Sequence, residues 1–106
     1  MSKYGNQKTL VDGHLFASKA EAYRYQDLKL LLKAGHISNL ELQPKFELCP
    51  KQKGERAVHY IGDFRYIEDG KVVVEDVKGF RTKEYLIKRR FFKYQNPDID
   101  FREVVV

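Results

Sequence analysis

Two acids and a lysine stand where they could do chemistry: Asp63, Asp76 and Lys78, within a stretch from Tyr60 to Gly79 that reads YIGDFRYIEDGKVVVEDVKG. Carboxylates set side by side repel, and each raises the other's pKa. Such a pair persists when a cation sits between them or when one keeps a proton. An ammonium group beside them completes a charge-handling site.

A hairpin must bring them together. Alternating apolar runs, Tyr60 to Ile67 and Lys71 to Val77, flank Asp69-Gly70. Asp-Gly between β-rich segments favours a two-residue turn in which both central residues take φ > 0. Counting outward puts Glu68 opposite Lys71, Ile67 opposite Val72, Arg65 opposite Val74 and Asp63 opposite Asp76. Directly opposed residues of an antiparallel pair have Cβ atoms about 4.5–5.5 Å apart. Strand alternation sets Lys78 on the face of Asp76. Glu75 adjoins Asp76, and a slip of one residue would exchange them between faces. Asp76 is preferred because it alone shares the face of both Lys78 and Asp63.

A fourth candidate comes from the first helix. Ser18-Lys19-Ala20-Glu21 is a capping box, and the helix is expected to run to Ala34 with Gly35 as its stop. Tyr25, Leu28 and Leu32, flanked by Leu31, form its apolar stripe, and one turn back along that stripe lies Glu21. Glu21 reads both as a cap and as an inward-facing acid at the hairpin's acidic end, available as a third metal ligand. The roles are compatible.

Elsewhere the chain supplies scaffold. Met1–Lys8 reads as a loose polar lead-in, and Asp12-Gly13 predicts a small hairpin or extended segment within Thr9–Ala17. Ile37–Leu48 reads as one strand, with Leu40, Leu42, Phe46 and Leu48 on one face and Pro44 demanding an edge position or a bulge. Gln43 could approach the site, although a solvated polar face accounts for it. Cys49–Arg56 is a charged loop, and His59 falls on the Asp63 face under the alternation, where a structural role is commoner. A second helix, capped by Thr82 and ended by Asn96-Pro97, carries Lys83, Lys88, Arg89, Arg90 and Lys93 against one acid, Glu84. A solvated basic face is the plain reading; a phosphate-contact surface is the functional one. Ile87, Phe91 and Tyr94 make one apolar stripe, with Tyr85 and Phe92 nearly opposite, so the helix is either wedged in the core or shared with a partner subunit. Asp100–Val106 reads as a final strand. The sum is one domain, an α/β (α+β) sandwich with a short mixed central sheet flanked by helices.

Composition bounds the function. A 106-residue chain, 42% hydrophobic and 33% charged, reads as soluble and globular, with one modest core. It has neither an apolar run of membrane-span length nor a signal-like start, so no membrane partner is expected. The single cysteine, Cys49, excludes an internal disulfide and a cysteine-based metal site, and fits a reducing cytoplasm. A net charge of +5 favours an anionic partner, with nucleic acid the commonest.

Gly62-Asp63-Phe64, then Glu75-Asp76-Val77-Lys78-Gly79 with Asp76 thirteen residues after Asp63, resembles the signature of the PD-(D/E)xK nuclease superfamily. Asp63 matches its first acid, Asp76 its second, Lys78 its lysine, and Glu21 the helix-borne acid of many members; Gly62 stands where a proline is common. The resemblance implies a restriction-endonuclease-like core and a Mg2+- or Mn2+-dependent endonuclease acting on DNA. Asp63, Asp76 and Glu21 would hold the metal, and Lys78 would orient or help deprotonate the attacking water. The chain is most similar to small phage-associated nucleases and more distantly to Holliday-junction resolvases. That implies branched or otherwise structured DNA, and a homodimer in which two sites cut two strands. Competing classes are a non-catalytic basic nucleic-acid-binding module, with Asp63 and Asp76 apart or paired to Arg65 and Arg81, and a small phage structural or regulatory protein.

Overall fold

The computed structural model describes residues 7–105, in the order β1 (Thr9–Val11), β2 (His14–Phe16), α1 (Lys19–Lys33), β3 (Ser38–Leu42), β4 (Lys45–Cys49), β5 (Val58–Ile61), β6 (Phe64–Glu68), β7 (Lys71–Lys78), α2 (Lys83–Gln95) and β8 (Asp100–Val105). Most of the expected lead-in lies outside the described residues, as does Val106. Both Asp-Gly turns form with left-handed backbone at each position, φ being 52° and 78° at Asp12 and Gly13, and 52° and 75° at Asp69 and Gly70. The first closes β1 on β2; the second closes β6 on β7 in the register counted from the sequence, Glu68 opposite Lys71 through Phe64 opposite Glu75.

Local capping sets the helices. The Ser18 hydroxyl accepts from the Glu21 amide at 3.2 Å and the Thr82 hydroxyl from the Tyr85 amide at 3.1 Å, each cap worth about 1 kcal/mol. Gly35 ends the first helix with φ +82°. The buried face of α1 is Ala22, Tyr25 and Leu28, with Leu31 partly covered. Leu32 is exposed, which corrects the expected stripe: burial follows steps of three residues, and Leu32 falls on the flank.

The main sheet has strand order β3-β6-β7-β8, antiparallel except for the parallel pair β7 and β8. Ala22, Tyr25 and Leu28 pack with Phe64, Tyr66, Val73 and Val77 on one face. Tyr85 and Phe92 of α2 pack with Tyr60 and Val74 on the other. The architecture is thus an α+β sandwich around a mixed sheet. Central β7 is covered on both sides, and Val73 through Val77 are all buried.

Two expected strands are each broken in two. Ile37–Leu48 divides at Gln43-Pro44 into β3 and β4, and Tyr60–Ile67 divides at Gly62-Asp63 into β5 and β6. The breaks face each other: the Gln43 amide donates to the Asp63 carbonyl at 2.9 Å and the Gly62 amide to the Pro44 carbonyl at 3.0 Å. Crossing them swaps faces, so Leu40 and Leu42 join the α1 core while Phe46 and Leu48 join the α2 core. The single apolar face expected from Leu40 to Leu48 does not exist. Nor can alternation be counted across Gly62 to place His59 beside Asp63. Pro44 brings no amide to a ladder, and Gly62 brings no side chain where one would crowd the core: an added Cβ would lie 3.1 Å from Cγ1 of the fully buried Val74. Gly62→Ala should therefore cost about 1–3 kcal/mol by overpacking, read as a lower denaturation midpoint; an unshifted midpoint would contradict this account of the break.

Candidate active site

Alternation along β7 sends Glu75 and Asp76 to opposite faces, and the two carboxylates meet different fates. Glu75, fully buried, faces α1 and is gripped by Arg24, with Nε to Oε1 at 2.7 Å and Nη2 to Oε2 at 2.6 Å. The Tyr66 hydroxyl also donates to it. That bonding to Glu75 outweighs burial and pushes Arg24 up. Every strong partner of Glu75 belongs to the fold, so it is a core ion pair.

Asp76 is 1% exposed and faces α2. The Tyr60 hydroxyl donates to its Oδ2 at 2.5 Å. Burial, and then the nearby Asp76 charge, push the Tyr60 phenol up, keeping it a proton donor. Lys78 Nζ lies 3.0 Å from Oδ1, close enough for an ion pair. Its alignment does not make a hydrogen bond, however, and Oδ1 is the buried side-chain oxygen left without one among the described residues. The same ammonium sits over the Tyr85 ring, 4.2 Å from its centroid.

Asp63 occupies the break before β6. Val77 has run past the last paired residue of β6, and the Asp63 carboxylate takes the place of the missing strand, its Oδ2 accepting from the Val77 amide at 2.6 Å. Burial first, then the charges of Asp76 and Glu21, push Asp63 up to about 8 against the opposing Val77 amide and Lys78. Glu21 is half-buried at the first turn of α1, and burial followed by Asp76 raises it, with Lys78 and the Ala17 amide opposing. Asp63, Asp76, Glu21 and Lys78 thus act on one another at one end of the sheet, each from a different local cause: a strand break, an alternation, a helix cap and a strand end.

These shifts set a pH dependence. Asp63 titrates near 3.8 in a model peptide and near 8 when folded, so between those values the folded chain holds a proton that the unfolded chain has lost. Its contribution is complete at the acid end and fades as pH rises, on the order of 1 kcal/mol per pH unit before solvent screening. Thermal melts from pH 5 to 8 should show this decline, and Asp63→Asn should flatten it. An identical slope in that variant would remove Asp63 as the cause.

The acids can be tested for fit to a divalent cation. Among the described residues no three His, Cys, Asp or Glu side chains form a ready-made ligand shell. Asp63 spends one oxygen on the Val77 amide, and the charges that favour a cation repel one another without it. Even so, Asp76 offers a buried oxygen lacking a donor, with two further carboxyl groups acting on it, and magnesium takes few protein carboxylates alongside water and phosphate. The donors are of the type a hard cation takes, although they are not gathered into one shell.

The cations expected on the second helix split into two sets. Arg89 is tied to Glu103 at 2.8 Å and Lys88 lies 3.7 Å from Glu84. Lys83, Arg90 and Lys93 are exposed and make no ion pair among the described residues. Arg81 binds Glu103, and Arg65 binds Glu41; neither pairs with Asp63 or Asp76, which was one of the two arrangements expected of a non-catalytic module. Glu103, opposite Asp76 in the parallel register, went unnoticed in the sequence. Burial opposes its ionisation, but hydrogen bonds from Arg81, Tyr85 and Arg89 outweigh that and hold it down at about 2. Tyr60 and Tyr85 were missed as partners of the site. Tyr60 lies sixteen residues from Asp76 across a break, and no local pattern announces the contact. Beside Lys78 opens a groove of about 280 Å³ lined by His59, Tyr60, Thr82, Tyr85 and Lys88 among others.

Among known proteins, one family model matches residues 1–105, that of a family described as a protein of unknown function, DUF1064. No curated protein matches the chain. No helix among the described residues is long and apolar enough to cross a membrane.

Proposed function

The chain belongs to the DUF1064 family, whose description assigns no activity, and from its acidic centre we propose that it is a Mg2+- or Mn2+-dependent endonuclease hydrolysing phosphodiester bonds of DNA. The observation that carries this reading is the buried Oδ1 of Asp76, an anionic ligand atom with no hydrogen-bond donor, set beside Asp63 and Lys78. The Lys78 ammonium offsets its charge at 3.0 Å without meeting it in a hydrogen bond, so the oxygen keeps lone-pair capacity for a further cation.

Asp63, Asp76 and Glu21 would hold the cation, which when bound supplies a Lewis acid and a more acidic water. Tyr60 fixes Asp76 by its hydrogen bond, so this carboxylate cannot swing away. Asp63 keeps its proton up to about pH 8 in the metal-free chain and yields it where positive charge gathers. Lys78, held between Asp76 and the face of Tyr85, would orient the attacking water and offset charge growing on the scissile phosphate. A helix, α1, before the strands of a mixed main sheet suits a restriction-endonuclease-like core, and a cytoplasmic, DNA-processing role with branched or structured substrates goes with it.

The test is a panel of supercoiled plasmid, plain duplex, flap and four-way-junction DNA incubated with Mg2+, with Mn2+ and with chelator. Cleavage of at least one substrate in metal alone is expected. Intact DNA throughout, at protein concentrations that bind it, would discard the enzyme and leave a basic binding module.

A further inference from the structure

We infer that the outer face of α2 grips an unpaired stretch of nucleic-acid strand, so that the substrates of the proposed nuclease carry single-stranded arms, flaps or opened junctions. This rests on the nuclease reading only for what happens after binding.

Ile87, Phe91 and Tyr94 are 54%, 52% and 83% exposed. Their spacing of four and three residues puts them on one helix face, away from the buried Tyr85 and Phe92. Neither Phe91 nor Tyr94 stacks on another ring among the described residues. Lys83, Arg90 and Lys93 flank them without ion-pair partners among the described residues, and Arg90 and Lys93 also line a neighbouring groove of about 310 Å³.

Free aromatic rings bordered by free cations suit one ligand chemistry. Bases stack on rings, at about 1–3 kcal/mol per base by alanine substitution, while the cations meet the phosphates. A closed duplex offers phosphates but no base faces, and would leave the rings idle. A second copy fits worse, because a twofold interface lays a patch against itself. That would bring Lys83, Arg90 and Lys93 towards their like-charged counterparts, whereas a phosphodiester strand brings the opposite charge. The helix also points the strand at the chemistry. Its first turn borders the groove that holds Lys78, and its 13 residues extend the surface by about 20 Å at 1.5 Å per residue.

Fluorescence anisotropy in chelator, where no cleavage occurs, separates this inference from the catalytic one. The probes are a labelled oligothymidylate of about 20 nucleotides and a blunt duplex of equal length. Phe91→Ala with Tyr94→Ala should weaken oligothymidylate binding about 30-fold or more and leave duplex binding unchanged. Lys83→Gln, Arg90→Gln and Lys93→Gln together should weaken both probes and flatten the salt dependence. The altered side chains are exposed, and an unchanged melting midpoint verifies the fold. Undiminished oligothymidylate binding by the aromatic double variant would overturn the inference. So would a wild-type dimer that this variant converts to monomers with no change in strand affinity. Failure of the cleavage panel with aromatic-dependent strand binding intact would sink the nuclease reading alone.

Discussion

Asp76→Asn should reduce metal-dependent cleavage by about 10²–10³-fold or more, the scale of losing one preorganised charge-stabilising group, while the metal-free protein melts at the same temperature or higher. Asparagine matches the volume of aspartate and still offers an oxygen to the Tyr60 hydroxyl. What it removes is an anion buried beside Asp63, whose raised pKa owes its second-largest cause to that charge; the ion pair lost with it is to Lys78, which is partly exposed and so is left in reach of water. Stability and activity therefore move in opposite directions, as they do where a fold tolerates an unfavourable group for function. The variant should also titrate differently, with the fall in stability between pH 5 and 8 reduced. Cleavage rates and melting midpoints on the same preparation check both halves. Wild-type cleavage by Asp76→Asn would withdraw Asp76 from the chemistry.

Arg24→Leu should be the most destabilising of the substitutions considered, by about 3–5 kcal/mol, because it strands a buried carboxylate without its cation. Glu75 is fully buried, and two of its hydrogen bonds come from this guanidinium. Against a total of about 5–15 kcal/mol for a domain of this kind, much of the folding free energy goes with one side chain. Arg24 is partly exposed, which points to the lower part of the range. Replacing both partners, Arg24→Leu with Glu75→Leu, should recover much of the loss, since an apolar pair leaves no charge to desolvate. Urea titrations of the two variants read the difference. A single variant within about 1 kcal/mol of wild type would mean that Glu75 is not held as the geometry implies. Together the two experiments assign neighbouring acids on one strand to separate tasks, Glu75 to cohesion and Asp76 to chemistry.

The legible parts of this molecule were those with short-range causes. Asp-Gly dictates positive φ at two consecutive positions, which fixes a turn, and a two-residue turn fixes the register from Glu68–Lys71 to Phe64–Glu75 by counting. Ser18 and Thr82 announce their helices by the amides they cap. The breaks at Gln43-Pro44 and Gly62-Asp63 were hidden because alternation continues in the letters across them, although the backbone does not. Pro44 hinted at one; only the close approach of Val74 explains the other. The partner of Glu75 lies 51 residues away, and the pairing of Asp76 with Glu103 is parallel, set by no turn. The candidate cluster was readable in the four residues set by the break before β6, by β7 and by the first turn of α1, and unreadable in Tyr60, Tyr85 and Glu103, which reach it through the tertiary fold.

Between Lys78, the last residue of β7, and Lys83, the first of α2, lie only Gly79 to Thr82. So brief a tether keeps the first turn of the helix close to the strand end. In the proposed enzyme, the point of severing is then measured from the point of holding, as between the jaws of a calliper. Product ends should cluster at a constant offset from the junction where pairing stops, whatever the bases there.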